Sequence, residues 1–409
     1  MSFTNGDIAR VPINNNIFTD EIALIVQENI SISKQDWDAH ETSWDFKENE
    51  LLRIFKGIRE NPYSVASYDK DMSITLETVV EAYKREWECI FMQLHKNEEE
   101  LNRQFIEIYG LQDELSPEVP LEEVTILQQG EKTVVNSSPS DGYEVDENTD
   151  YGQRLLIEAS KDIRLVGLYW NEDNIIQQLI SYAVGCYMGR YRLDRPGLHI
   201  AHPNPTAEEL QPYEVSCLAS RSPESFIIDS DAIIPILPRD CGFPDNLHRR
   251  ITNFIEQVFG SNNLVANLNY IESALGKSLE DYLTKDFWKD HVKRYQKRPI
   301  YWLFSSKKGA FKAIAYMHRM DAFTVATIRN HYLLPYINTL ETRIDALRVR
   351  QAELTTPERR NLERLTKDLD DCREYDLRLH QVADRQITFD LDDGVVHNYA
   401  LFGDVLSKL

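Results

Sequence analysis

The sequence predicts an α+β fold that is mainly helical, with a small β-containing target-recognition region and a long antiparallel helical hairpin near the C-terminus. Three observations carry this. Long stretches repeat apolar residues every three to four positions, most clearly Leu76, Val79, Val80, Tyr83, Trp87, Ile90, Phe91 and Leu94. Residues 192–245 break that rhythm with ten prolines or glycines and short apolar runs. Beyond Thr324, two helical patterns flank a restart at Thr356-Pro357.

The elements follow in order. Phe3 to Pro12 reads as a strand or turn ended by a proline. A helix from Thr19 to about Ser33 follows, with Thr19 as N-cap and Ile22, Ile25, Val26 and Ile30 on one face. Thr75–Leu94 is helical, and a new helix starts at Asn97, with Glu100 in the capping-box position and Gly110 as its C′ residue. Val124 to Leu127 suggests one short strand. Asn174–Tyr191 is helical. Phe226-Ile227-Ile228 and Ala232 to Ile236 read as strands, residues 246–295 as helices, and Pro299 to Phe304 as a buried strand before a Ser-Ser-Lys-Lys-Gly turn. The hairpin arms are marked by Tyr336, Leu340, Ile344 and Leu347, then by Leu362, Leu365, Leu369, Tyr375, Leu379 and Val382.

The apolar fraction of 42% suffices for sizeable cores, and no run is long and apolar enough to span a membrane. Met1 to Asp7 lacks the basic and apolar regions of a secretory signal. Cys89, Cys186, Cys217, Cys241 and Cys372 are scattered and odd in number, which argues against a disulfide framework and for a reducing cytoplasm. The net charge of −22 argues against nucleic-acid binding if taken as a sum. Its distribution says otherwise: residues 113–150 carry −10, whereas 285–312 carry +7.

Catalytic and cofactor motifs are not found. There is no glycine-rich cofactor turn, no P-loop and no Asn/Asp-Pro-Pro-aromatic loop; Asn61-Pro62-Tyr63 lacks the second proline and reads as a turn. His199 and His202 lack a partner acid or thiol at metal-ligand spacing and read as loop histidines. Asp390 to Gly394 lacks the terminal glutamate of a calcium loop and reads as a solvated turn. Asp36, Asp45 and Lys47 match a magnesium-nuclease pattern that arises often by chance. No catalytic, cofactor-binding or metal residue is therefore assigned.

The basic stretch is the strongest site signal. Lys293, Arg294, Lys297 and Arg298 crowd one helix end. Ser305, Ser306, Lys307 and Lys308 follow a strand, where hydroxyls and backbone amides meet phosphate in other proteins. With Tyr301, Arg190 and Arg192 these form the candidate DNA-binding set, because cations neutralise phosphates and aromatic rings stack on bases. The alternative is a solvated basic helix face with Tyr301, Trp302 and Phe304 in the core. Base-reading residues are expected within 150–260.

Several strings together resemble a known family. Glu98-Glu99-Glu100-Leu101-Asn102 to Tyr109-Gly110-Leu111 resembles the helix end that follows the catalytic domain in adenine-specific methyltransferases of the fused restriction type. Phe3 to Pro12, with Gly6-Asp7-Ile8, resembles the junction at the same boundary. Ile30 to Phe46, with Ser33, Asp36-Trp37-Asp38 and Trp44-Asp45-Phe46, then Ala183 to Tyr191, Lys297 to Ser306 and Asp392 to Tyr399 follow in register. In this order the chain resembles the C-terminal part of PglX, the adenine-specific DNA methyltransferase of the BREX phage-defence system.

The resemblance implies methylation of adenine N6 with S-adenosylmethionine in a non-palindromic site by a full-length relative. It implies that this portion holds target recognition and helical struts. The family's catalytic domain has no counterpart in this sequence, so the chain is expected to be inactive alone and to hold no cofactor itself. A split gene, a degenerate remnant and a start inside a frameshifted gene all remain open.

The expected domains are a helical post-catalytic connector (1–112), an acidic linker or loop (113–150), a target-recognition-like region (151–323) and the hairpin with its tail (324–409). The partners implied are double-stranded DNA, a methyltransferase catalytic domain in cis or trans, and other BREX proteins, with no membrane. Two alternatives stand beside this reading. One is an acidic helical scaffold of a phage-defence complex without DNA contact; the other is a cryptic magnesium-dependent nuclease.

Overall fold

The computed structural model describes residues 13–14, 17–60, 74–134, 168–215 and 224–409. The readings of Phe3 to Pro12, of Asn61-Pro62-Tyr63 and of residues 135–150 lie outside them. The fold is predominantly helical with small antiparallel sheets and large C-terminal helices, as the sequence predicts. No helix among the described residues is long and apolar enough to cross a membrane. The chain divides into two compact units, one of Met1–Trp44, Glu50–Met72 and Thr78–Asn174, the other of Asp45–Asn49, Ser73–Glu77 and Ile175–Leu409.

In the first unit, α1 (Asp20–Asp38) begins where expected, and the Thr19 hydroxyl accepts a hydrogen bond from the Ile22 amide. Its buried stripe differs from the expected one. Ile22 and Ile32 are buried, whereas Val26 and Ile30 face solvent. Helix α2 (Glu50–Glu60) buries Leu51, Leu52, Ile54, Phe55 and Ile58. The expected break near Asn97 is absent, and α3 runs unbroken over Leu76–Tyr109. Asn97 is buried, and its amide donates to Glu28 and Asn29 of α1, so it serves a tertiary contact rather than a local cap.

The other end of α3 matches the sequence reading. Gly110 adopts φ +68°, its amide donates to Glu107 O, and the Leu111 amide reaches Ile106 O, a Schellman closure. Val124 to Leu127 is not a strand. Val124, Ile126 and Leu127 are buried side chains of an irregular segment, and the Leu127 amide donates to the Asp36 carboxylate at 2.9 Å. The strand lies further on: β1 (Lys132–Val134) pairs antiparallel with β2 (Leu168–Trp170).

In the second unit, α4 (Glu172–Tyr187) ends four residues before the expected Tyr191. The chain turns at Gly189 with φ +76°, a conformation that other residues rarely adopt. Strand β3 (Tyr213–Val215) pairs with β4 (Glu224–Phe226). A three-stranded antiparallel sheet has the order β5-β7-β6, with β5 (Ile233–Pro235), β6 (Tyr301–Ser305) and β7 (Lys312–Tyr316). The expected strand segments around residue 234 and residue 302 thus lie in one sheet. Helices α5 (Leu247–Phe259), α6 (Leu264–Leu275), α7 (Leu279–Lys285) and α8 (Phe287–Arg294) join β5 to β6.

The C-terminal hairpin follows. Helix α9 (Thr324–Thr327) runs through a π-helical turn, Ile328–Leu333, into α10 (Leu334–Val349). Helix α11 (Thr356–Ala383) returns. Its N-cap is Thr355, one residue before the expected Thr356, because the Glu358 carboxylate three positions on accepts from the Thr355 amide and closes a capping box. One apolar cluster joins the sheet to both arms through Trp302, Phe304, Phe311, Tyr336, Leu340, Leu369 and Tyr375. The C-terminal tail, with α12 (Val395–Ala400), closes over it. The Tyr375 hydroxyl donates to Val405 O, and the Ser407 amide donates to Leu303 O.

Candidate nucleic-acid interface

All eleven expected site residues lie in the second unit, and the structure sorts ten of them into three groups and sets Arg192 apart. The first is the turn after α8. Gln296 and Lys297 both hold positive φ, 50° and 62°, and the Lys297 amide donates back to Val292 O at 2.8 Å. Two consecutive left-handed residues without glycine are unfavourable, so the turn is over-determined by its surroundings. Its effect is to fold the chain sharply before the buried Pro299 and leave Lys297 and Arg298 exposed. Lys293 is exposed and Arg294 half-buried on the last turn of α8. None of these four forms an ion pair with a described residue, whereas Lys285 pairs with Asp281 and Lys289 with Asp286. The cations of residues 285–312 that form no ion pair with a described residue therefore fall in two places, four at the C-terminal end of α8 and Lys307, Lys308 and Lys312 at the β6–β7 hairpin.

Arg190 is brought to this turn. Its guanidinium donates to the Tyr295 hydroxyl at 2.5 Å and lies over the Tyr191 ring at 4.8 Å. Arg192 is not brought there. It forms a bidentate pair with Asp194 at 2.7 and 2.6 Å and covers the Tyr213 ring at 4.0 Å, a committed structural arginine.

The second group is the turn between β6 and β7. Lys307 and Lys308 are exposed, and Ser305 is half-buried with its hydroxyl donating to Ser306 O. Ser306 is buried, and its hydroxyl accepts from the Phe311 amide. The backbone amides expected to face phosphate are already taken. Lys308 N donates to both oxygens of Asp371 at 3.1 Å, and Ala310 N donates to Asp371 at 3.3 Å. The turn does form an anion-binding nest, but a carboxylate of α11 fills it.

The third group is core. Tyr301 is fully buried, its ring stacked on His291 at 4.8 Å, and its amide donates to His291 Nε2. Complete burial holds the His291 imidazole well below its ordinary range, so the ring is neutral and accepts this bond. Tyr301 and Ser306 are corrected here from surface candidates to packing residues, because no solvent-facing ligand reaches them.

The structure adds a feature that sequence reasoning did not single out. An open cavity of about 280 Å³ is lined by Arg239, His248 and Arg249, with Asn246 and Thr252 beside them. Arg239 and Arg249 are exposed and form no ion pair with a described residue. Asn246 spends its side chain on the Leu237–Cys241 loop, donating to Leu237 O at 2.8 Å, and does not cap α5. Burial and then the Arg239 charge lower the pKa of His248. The signal was present as His248-Arg249-Arg250, but only folding separates Arg250, which pairs with Asp229 at 2.7 Å, from its uncommitted neighbours.

The remaining candidates resolve as structural. His199 and His202 both contact Glu209, through its backbone and side-chain oxygens respectively. Asp390 accepts from the Asp392 amide within a 3₁₀ turn. The Asp36 carboxylate is engaged by the Leu127 amide, and among the described residues no three His, Cys, Asp or Glu side chains are placed to hold a metal ion. The nuclease pattern of Asp36, Asp45 and Lys47 gains no support from this geometry.

No family model matches the chain. Two curated adenine-specific methyltransferases do resemble it. BrxX of Escherichia coli O9:H4 (strain HS) is 34% identical over 429 residues, covering 100% of this chain and 31% of its own length. PglX of Lacticaseibacillus casei (strain Zhang) is 33% identical over 416 residues, covering 98% of this chain and 29% of its own length. The chain is homologous to BREX adenine-specific DNA methyltransferases of the PglX type, and it spans about a third of the length of these relatives.

Proposed function

We propose that this chain is the DNA target-recognition and binding portion of a site-specific adenine-N6 methyltransferase of the BREX type. The observation that carries the reading is the cluster of Lys293, Arg294, Lys297 and Arg298 at the end of α8, which forms no ion pair with a described residue in a chain of net charge −22. Cations held in no ion pair on an acidic protein suit a polyanion, with Asp290 of α8 the acid that feels Arg294 and Lys293, and each phosphate neutralised releases counterions. Arg190 at the same turn, Lys307, Lys308 and Ser305 on the neighbouring hairpin, and the Arg239–Arg249 cavity extend the set.

In this reading residues 151–323 hold target recognition, with 1–112 as a connector, 113–150 as an acidic linker or loop whose described part packs into the first unit, and 324–409 as a strut. S-adenosylmethionine and the methyl-transfer chemistry belong to the part of the relatives that this chain does not match, supplied in cis or in trans. Tyr301, Ser306 and Arg192 support the surface from behind and make no contact with DNA.

Anisotropy of a labelled duplex at low salt tests the proposal. Saturable binding that weakens steeply with salt supports it. No binding, with or without a methyltransferase catalytic domain, contradicts it and favours an acidic scaffold that docks other defence proteins.

A further inference from the structure

Helix α1 is apolar over a wider sector than its own unit covers. The buried residues Ile22 and Ile32, with half-buried Ile25, form one stripe. Val26, Ile30 and Trp37 recur at i, i+4 and i+11, so they form a second stripe rotated roughly 100° from the first. That second stripe is open: Val26 is 38%, Ile30 55% and Trp37 58% exposed. Just past the helix, Trp44 is 101% exposed. A helix whose apolar sector exceeds its buried face is the pattern of an element packed on two sides. Two exposed tryptophans in one short region mark a contact surface rather than scattered apolar residues.

We infer that this face of α1 is the docking surface for an apolar patch in the two thirds of the methyltransferase that this chain does not match. The occupant follows from the comparison of lengths. The match takes in all of this chain but only 31% of the E. coli relative, so a body about twice this size accompanies the matched segment there. A second copy of the chain is the competing occupant. The inference rests on the chain being part of a methyltransferase and is independent of its contact with DNA.

Hydroxyl-radical footprinting read by peptide mass spectrometry tests this without substitutions. It is run in the absence of DNA on this chain and on the intact E. coli BrxX, with each residue's oxidation normalised to its intrinsic reactivity. Val26, Ile30 and Trp37 oxidise readily in this chain at every protein concentration, and the aligned side chains of the intact relative are protected about tenfold or more. Equal oxidation in the intact relative overturns the inference. Protection that appears in this chain as its concentration rises also overturns it, because the face then belongs to a second copy. Either failure leaves the DNA-binding proposal standing, and a failure to bind duplex leaves this result unaffected.

Discussion

The carboxylate of Asp371 accepts from the Lys308 amide through both oxygens at 3.1 Å, tying the hairpin turn between β6 and β7 to the middle of α11. Asp371 is buried, and this contact consumes the amides that the sequence alone offers to phosphate. In the proposed interface Lys307 and Lys308 have their ammonium groups, and not these amides, to offer to phosphate. Asp371→Asn removes the charge and half of the acceptor capacity. It is expected to destabilise the second unit by about 1–3 kcal/mol, the cost of leaving buried polar groups unmatched. Denaturant unfolding checks this. A variant as stable as the parent would show that the contact is incidental.

A glycine in the Ala183 to Tyr191 string has a steric reason to be there. A Cβ on Gly185 would lie 2.6 Å from Tyr191 Cδ2 and 3.0 Å from the Tyr301 hydroxyl. Tyr191 stacks on Tyr182 at 5.2 Å and lies beneath the Arg190 guanidinium. Gly185→Ala is expected to cost about 1–3 kcal/mol through overpacking and to weaken duplex binding by displacing Arg190. Unchanged melting together with unchanged binding would refute the link.

His40 supplies a pH dependence in the first unit. It is buried, its Nε2 lies 2.6 Å from the Glu131 carboxylate, and its Nδ1 lies 2.7 Å from Asp36 O. Burial acts to lower its pKa, but the hydrogen bond and charge of Glu131, with Asp36, outweigh it and raise the pKa above the ordinary 6.5. A raised folded-state pKa means that the charged imidazole stabilises the fold fully below pH 6.5 and that this contribution fades as pH rises through the raised value. Thermal unfolding of the parent is therefore expected to shift to lower temperature over that interval, and the His40→Gln variant to lose most of that slope. An identical slope in the variant would remove His40 as its source.

The hairpin core rests on Trp302, which is fully buried, packs against Phe389 at 5.1 Å and donates from its indole to Pro299 O. Trp302→Ala is expected to cost about 3–5 kcal/mol and to loosen the C-terminal tail, read as faster amide exchange at Ser407, whose amide donates to Leu303 O. Unaltered exchange there would show that the tail is held elsewhere.

Much of the fold was legible because local signals agreed with tertiary ones. The Thr19 cap and the Gly110 closure carry their partners within a few residues, and the hairpin arms carry a long helical apolar rhythm. Legibility failed where a residue of local character was recruited at long range. Asn97 looked like a cap and is a strut to Glu28 and Asn29, so one helix read as two. The face of α1 could not be chosen from periodicity, because two apolar stripes run along it. Within the site, charge counting located the basic segment but not its committed members: Arg192, Lys285 and Lys289 are spent on carboxylates two to four residues away. Arg239 and Arg249 were missed because their cavity is assembled by a loop pinned through Asn246, a relationship that spacing does not encode.

The most direct test of the account is the salt dependence of duplex binding by the parent chain and by the double variant Lys297→Glu, Arg298→Glu. Both residues are exposed, so the variant is expected to fold as the parent does. Weaker binding of the variant is expected across all duplex sequences, with a log–log salt slope flattened by about 0.9 for each phosphate that is no longer neutralised. Binding of the same affinity and the same salt slope in the variant would contradict it.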